Sequence, residues 1–193
     1  MLLINLLYLQ PLSKSKTILI SADTVRFYAS FIHSSATITD KTIQFGAGSH
    51  QEELLRVPIA APGELTPDAM IRITVGINPP SGADNDPGVG ISDGVNRKQF
   101  WLVEHGGGSG NPCELYQGSL NGRTAPLGNP VAGTYVLLFD PLHRFGSCSS
   151  NNGFASDGKF NNRVDASKSL SMVLYRDTGS EQYTFHYFLI EFL

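Results

Sequence analysis

Charge is scarce in this chain, and what there is nearly cancels. Charged residues make up 16% of the 193, against roughly 25% in ordinary globular domains. Fourteen basic side chains stand against 17 acidic ones, a net charge of −3. That gives no electrostatic footing for nucleic acid or an anionic membrane surface. No apolar run approaches the roughly 20 residues of a membrane-spanning helix. Only two cysteines occur, with no C-x-x-C pair, and the five histidines show no H-x-x-x-H spacing, so the common zinc patterns are missing. The glycine-rich stretch around Ser109 lacks both the P-loop Lys-Ser/Thr and the final glycine of G-x-S-x-G, and it reads as a hairpin loop. No N-x-S/T sequon is present, so N-glycosylation is not expected.

What is present is apolar content in short alternating pieces. Hydrophobic residues are 41% of the chain, which excludes disorder by composition, and the length suits one domain with its own core. Ile71, Ile73, Val75 and Ile77 alternate with Arg72 and Thr74, the period of a half-buried strand. Residues 183–192 repeat the pattern, with Phe185, Tyr187 and Leu189 on one face. Residues 25–32, 42–45, 54–59, 99–103, 134–139 and 170–175 are further strand candidates, rich in β-branched and aromatic side chains. Asp93-Gly94, Asn121-Gly122, Asn152-Gly153 and Asp157-Gly158 are turn dipeptides. Only residues 51–56 and 66–70 could form a helical turn, and the polar stretch 146–165 reads as one long loop. Many short strands with Gly, Asn and Pro between them predict an all-β chain, a sandwich or a barrel.

Two segments admit two readings each. Residues 1–16 open with the most apolar stretch of the chain, yet no basic residue precedes it and no A-x-A-like cleavage site follows. It is either a retained first strand that also serves association or the remnant of a signal peptide, with the sandwich domain occupying residues 17–193. Cys113 and Cys148 lie in loop-like surroundings; a disulfide joining two loops is the preferred reading, implying an oxidising compartment, and two unpaired thiols are the alternative.

The densest cluster of oxygen-bearing side chains is Asp84, Asn85, Asp86, Asp93 and Asn96. Calcium takes six to eight oxygens from such groups, so Asp84, Asp86 and Asp93 are candidate ligands, although Gly88 breaks the EF-hand spacing. The competing reading is a turn and hairpin in which these side chains bond their own backbone.

The run from Asp84 to Gly94, which contains D-P-x-x-G-I-S-D-G, together with the Phe100-Trp101-Leu102 strand and the closing strand 183–192, resembles secreted β-sandwich domains of the concanavalin A-like class. It is similar to uncharacterised invertebrate extracellular, lectin-like proteins. The resemblance implies an antiparallel two-sheet jelly roll, with glycan or calcium binding at loops or on a sheet face. The legume-lectin metal pattern, the galectin H-x-N-x-R and the glucanase E-x-D-x-x-E are not in this chain.

The expectation is therefore an extracellular, non-enzymatic recognition domain for a glycan or glycoprotein. Asn85, Asn96 and Trp101 are its candidate ligand-binding residues, and Trp101 or a tyrosine offers an apolar face to a sugar ring. A self-associating structural protein, joined through its N-terminal segment, is the alternative.

Overall fold

The computed structural model describes residues 16–81, 87–102, 113–124, 133–151, 153, 155–177 and 182–193. In chain order these form β1 (Thr17–Ser21), α1 (Val25–Tyr28), β2 (Phe31–Ile32), β3 (Ala36–Ile38), β4 (Ile43–Phe45), β5 (Glu53–Ala60), β6 (Ile71–Ser81) and β7 (Gly88–Ser92). There follow β8 (Arg97–Trp101), β9 (Glu114–Leu115), β10 (Gly118–Thr124), β11 (Gly133–Phe139), β12 (Phe145–Ser150), β13 (Ala155–Phe160), β14 (Leu170–Tyr175) and β15 (Gln182–Phe192). The larger sheet runs β10-β13-β12-β11-β6-β15-β4-β3, with β1 also paired to β15. The smaller runs β2-β5-β14-β7-β8-β9. Pairing is antiparallel throughout, and the architecture is the expected two-sheet jelly-roll sandwich.

Period-2 alternation builds the core. Ile71, Ile73, Val75 and Ile77 of β6 are all buried, as their spacing predicts. From the smaller sheet come Leu55, Val57, Val89, Ile91, Phe100, Met172 and Leu174, each fully enclosed. Phe100 crosses the gap to meet Phe139 at 5.6 Å and Phe160 at 5.3 Å between ring centroids. Full burial of side chains of this kind stabilises by about 1.5–3 kcal/mol each, so the core dominates the fold's stability.

Two further links join the sheets. Cys113 and Cys148 form a disulfide, with Cα atoms 5.4 Å apart, tying the start of β9 to β12. The Ser156 hydroxyl donates to the Cys113 carbonyl at 2.6 Å. The second link is Lys98, an inward position of β8 and fully buried. Its ammonium donates to the carbonyls of Asp140, Pro141 and His143, in the turn between β11 and β12. Burial pushes its pKa down to about 8, Asp140 works against that and Arg163 adds to it, so the group is still charged at neutral pH.

Several local expectations need correction. Residues 25–32 are not one strand: Val25–Tyr28 make a helical turn, closed by the Ala29 N–H on the Val25 carbonyl, before β2 begins. The turn follows a Thr24 hydroxyl that receives the Ser21 N–H at 2.9 Å, a local bond that competes with extended structure. The polar stretch 146–165 is largely a hairpin, β12 against β13, in which Gly146 faces Gly158. Asp157-Gly158 is thus strand rather than turn, and Asn121-Gly122 lies in β10 where the pairing with β13 shifts register. Residues 53–56 belong to β5, not to a helical turn. In β15 a bulge between Phe185 and Tyr187 resets the alternation, so Phe185 and Phe188 enter the core while Tyr187 and Leu189 stay outside. His186 instead bonds Asn78 at 2.9 Å.

Replacing Lys98 by Met removes the ammonium and strands three carbonyls between the sheets. Urea unfolding of Lys98→Met is expected to show a loss of about 2–4 kcal/mol; a change under ~0.5 kcal/mol would show that this tie contributes nothing.

Candidate functional site

Strand alternation gives β8 two different faces. Lys98 and Phe100 point into the core, so Arg97, Gln99 and Trp101 lie on the outer face of the smaller sheet. On neighbouring β7, Gly88 stands opposite Trp101, Gly90 opposite Gln99 and Ser92 opposite Arg97. A β-carbon on Gly88 would fall on the Gln99 amide and the Trp101 ring, and one on Gly90 would strike the backbone of β8. The two glycines therefore make a floor across which the side chains of β8 can lie. Beyond β7, β14 brings Tyr175 opposite Gly88, and β5 brings Glu53 opposite Tyr175 and Arg56 opposite Val173.

These outward side chains form one connected network. Arg56 grips Glu53 with both prongs, Nε to Oε1 at 2.8 Å and Nη2 to Oε2 at 2.7 Å. The Tyr175 hydroxyl donates to Glu53 Oε2 at 2.7 Å. Burial opposes charge on Glu53, but the bonds from Arg56 and Tyr175 and the charges of Arg56 and Arg97 outweigh it and hold its carboxyl below the usual range. Burial and the bond to Glu53 raise the Tyr175 hydroxyl, which keeps its proton. The Arg97 guanidinium carbon lies 3.8 Å from the centre of the Tyr175 ring and 4.2 Å from that of Tyr116. Tyr116 in turn meets Trp101 edge-on at 5.8 Å. Between Arg56, Tyr175, Arg97, Tyr116 and Asn162 opens a cleft of about 260 Å³, with Gly94 and Val95 at one rim.

The rim is fixed by Asp93. Its Oδ1 accepts the N–H groups of Val95 at 2.8 Å and Asn96 at 2.6 Å. Its Oδ2 accepts the Asn96 side-chain amide at 3.0 Å and the Asp165 N–H at 2.7 Å. Burial works against its charge, yet the bonds from Asn96, Asp165 and Val95 prevail and hold its pKa below the ordinary 3.8. Gly94 takes a φ of +89°, which a glycine adopts without strain.

One polar side chain on this face is left without a partner. Gln99 is fully buried, and among the described residues neither its amide nitrogen nor its amide oxygen meets a hydrogen-bonding group. A buried amide in that condition costs roughly 1–3 kcal/mol.

The residues expected from sequence are thus divided. Asp84, Asn85 and Asp86 lie outside the described residues. Asp93 and Asn96 are together, but bonded to each other and to backbone. Among the described residues, no group of three or more His, Cys, Asp or Glu side chains is placed to hold a metal ion. Trp101 is on the face but not in the cleft, whose aromatic walls are Tyr116 and Tyr175. Arg56, Arg97, Gln99, Tyr116 and Tyr175 escaped the sequence reading. The signal available for them was Arg97, Gln99 and Trp101 alternating just after a G-x-G strand.

A second cleft, of about 310 Å³, lies at the other sheet's edge between Ser35, Thr37, Gln44, Gln182 and Thr184. There His33 Nδ1 is 2.7 Å from the Ser35 hydroxyl and accepts the Ser35 N–H at 3.1 Å, while its Nε2 is 2.8 Å from Glu52. The Ser35 hydroxyl also accepts Arg176 Nη2 at 3.3 Å, and these bonds hold the turn between β2 and β3.

No protein-family model matches the sequence, and no curated protein matches it either. Solved structures do share the architecture. A protein from Parabacteroides distasonis, provisionally described as a glycosyl hydrolase, superposes with a TM-score of 0.53 at 7% identity, over 90% of this chain and 98% of that one. A second from the same organism, described in the same way, gives 0.50 at 10% identity, over 81% of this chain and 83% of that one. Identities this low speak to the fold alone.

Two outcomes follow from this geometry. Asp93 stabilises the fold at neutral pH and loses that contribution as pH falls below about 3.8, its ordinary value. Asp93→Asn should therefore be less stable at pH 7 and show a shallower acid-unfolding limb; an unchanged limb would refute the assignment. Gln99→Leu should leave the free protein as stable or more so, by up to about 2 kcal/mol in chemical unfolding, because it removes an orphaned amide. A loss above ~1 kcal/mol would show that the amide is satisfied in solution.

Proposed function

We propose that the protein is a carbohydrate-recognition domain and that the cleft on the outer face of its smaller sheet is where the sugar binds. The observation that carries this reading is the pairing of aromatic walls with fixed hydrogen-bonding groups. Tyr116 and Tyr175 border the same small cleft as Arg56, Arg97, Ser92, Gln117 and Asn162. A pyranose needs both: its C–H faces pack on rings, and its hydroxyls need donors and acceptors already in place. The ion pair of Arg56 with Glu53 and the anchored hairpin supply that placement without reorganisation.

Binding without turnover is the better match to the chemistry of the walls. Glycoside hydrolysis uses two carboxyl groups across the scissile bond. Among the described residues that line the cleft there is no acid, and nearby Glu53 is held ionised by three donors. The disulfide supports residence in an oxidising compartment, and with it an extracellular setting.

The test is a glycan array on the intact chain, followed by calorimetry on the best binder with the Tyr116→Ala and Tyr116→Phe variants. Ala should weaken binding at least tenfold, about 1.4 kcal/mol, while Phe keeps most of it and both retain the native circular dichroism. No binding to any glycan, or Tyr116→Ala binding as wild type, would sink the proposal.

A further inference from the structure

The cleft's charge points to the class of sugar. Arg56 and Arg97 stand on the same face but in different conditions. Arg56 spends two of its donors on Glu53, and the pair is neutral as a unit. Arg97 has no such partner: among the described residues, no carboxylate forms an ion pair with it, and Glu53, whose charge it feels, is already bonded by Arg56 and Tyr175. Tyr175 and Tyr116 close on the guanidinium instead, at 3.8 and 4.2 Å. Rings satisfy a guanidinium's faces, and apart from an approach to the Tyr175 hydroxyl its N–H donors, which lie in its plane, are left for something else. Arg97 also lines the cleft, and the neighbouring polar walls are neutral: Ser92, Gln117 and Asn162. The site therefore carries one uncompensated positive charge on a planar fork held rigid by aromatic rings and by the hairpin that Asp93 anchors.

Resting on the carbohydrate reading above, we infer that the cleft selects acidic sugars, with Arg97 taking the carboxylate of a uronate residue through its paired N–H groups. The fork matches a carboxylate in spacing and plane, and each bond gains from the charge on both sides. Tyr116 is then the surface for the sugar ring, and Asn162 and Gln117 are placed for its hydroxyls. Arg97 is a specificity residue: a neutral sugar would find the same rings and amides but would leave the guanidinium desolvated without an anion.

The experiment compares oligogalacturonate with its full methyl ester, which keeps the backbone and removes the charge, by calorimetry on the whole chain at 0.15 M salt. Oligomannuronate against mannan oligosaccharide repeats the comparison on another backbone, and dextran sulfate reports attraction to any polyanion. At least one acid should bind tenfold or more tightly than its neutral counterpart, and Arg97→Gln should bring that ratio to about one, whatever it does to the affinity for the ester itself. Arg97→Lys, which restores charge without the fork, should recover only part of it. Equal binding of acid and ester by the wild-type chain overturns the inference with no variant needed. So does an Arg97→Gln protein that keeps the preference, or dextran sulfate competing as well as the uronate. If neutral sugars bind and acids do not bind better, the carbohydrate reading stands and this one falls; if no sugar binds, both fall. Ultraviolet-absorbing unsaturated product, lost in Arg97→Gln, would uphold uronate recognition and replace binding by turnover.

Discussion

The structure turns on a single short strand that has no solvent-facing side in the usual sense. β8 sends Lys98 and Phe100 between the sheets, where one ties the β11–β12 turn and the other fills the aromatic core. Its other face carries Arg97, Gln99 and Trp101, of which Gln99 is fully enclosed. Antiparallel sheets commonly keep one face dry and one wet. Here the second face is covered as well, by its own long side chains lying across the glycines of β7. Each outward residue is consequently held by neighbours on both sides, and the side chains that would wander on an open sheet are fixed.

That arrangement couples stability to recognition in a specific way. The core side of β8 is apolar apart from Lys98, whose charge is met by three carbonyls. Among the described residues, the outer side keeps a fully buried amide with no hydrogen-bonding partner and an arginine that forms no direct ion pair. Packing alone would replace the amide by an aliphatic side chain and would gain from doing so. The proposed site lies on this face because Tyr116, Tyr175, Arg97 and Asn162 border one cleft there, whereas beside the second cleft Ser35, His33 and Glu52 bond one another.

How much of this could be read in the sequence depends on whether the signal is local. The alternation of Ile71 to Ile77 is visible in seven residues, and the structure buries those four side chains. The Cys113–Cys148 pairing, preferred on the strength of flanking residues, is formed. The Asp93-Gly94 turn was legible because its dihedral demand and three of the four bonds to Asp93 lie within four residues, the fourth coming from Asp165. Errors came where a local signal was true but misplaced. Asn121-Gly122 and Asp157-Gly158 permit turns, yet pairing with neighbouring strands absorbs them, one at a register shift and the other opposite Gly146. One bulge in β15 was enough to move Tyr187 from the predicted inner face to the outer one.

The site itself was illegible for a related reason. Its walls come from β5, the β7–β8 hairpin, the turn after β9, the segment after β13 and β14, stretches scattered along the chain. Arg97 falls outside the strand expected over 99–103, Glu53 and Arg56 fall in the stretch 51–56 that could form a helical turn, Tyr175 ends the strand candidate 170–175, and Tyr116 belongs to no expected element. What makes them a site is cross-strand register: pairing of β14 with both β5 and β7 sets Tyr175 beside Glu53 and over the glycine floor. The oxygen-rich run that stood out in the sequence contributes differently. Its described acid, Asp93, turns its oxygens inward to hold the hairpin, and the hairpin then holds Arg97. A conspicuous acid supports an inconspicuous base, and the charged group that lines the cleft has the opposite sign to the one the sequence advertises.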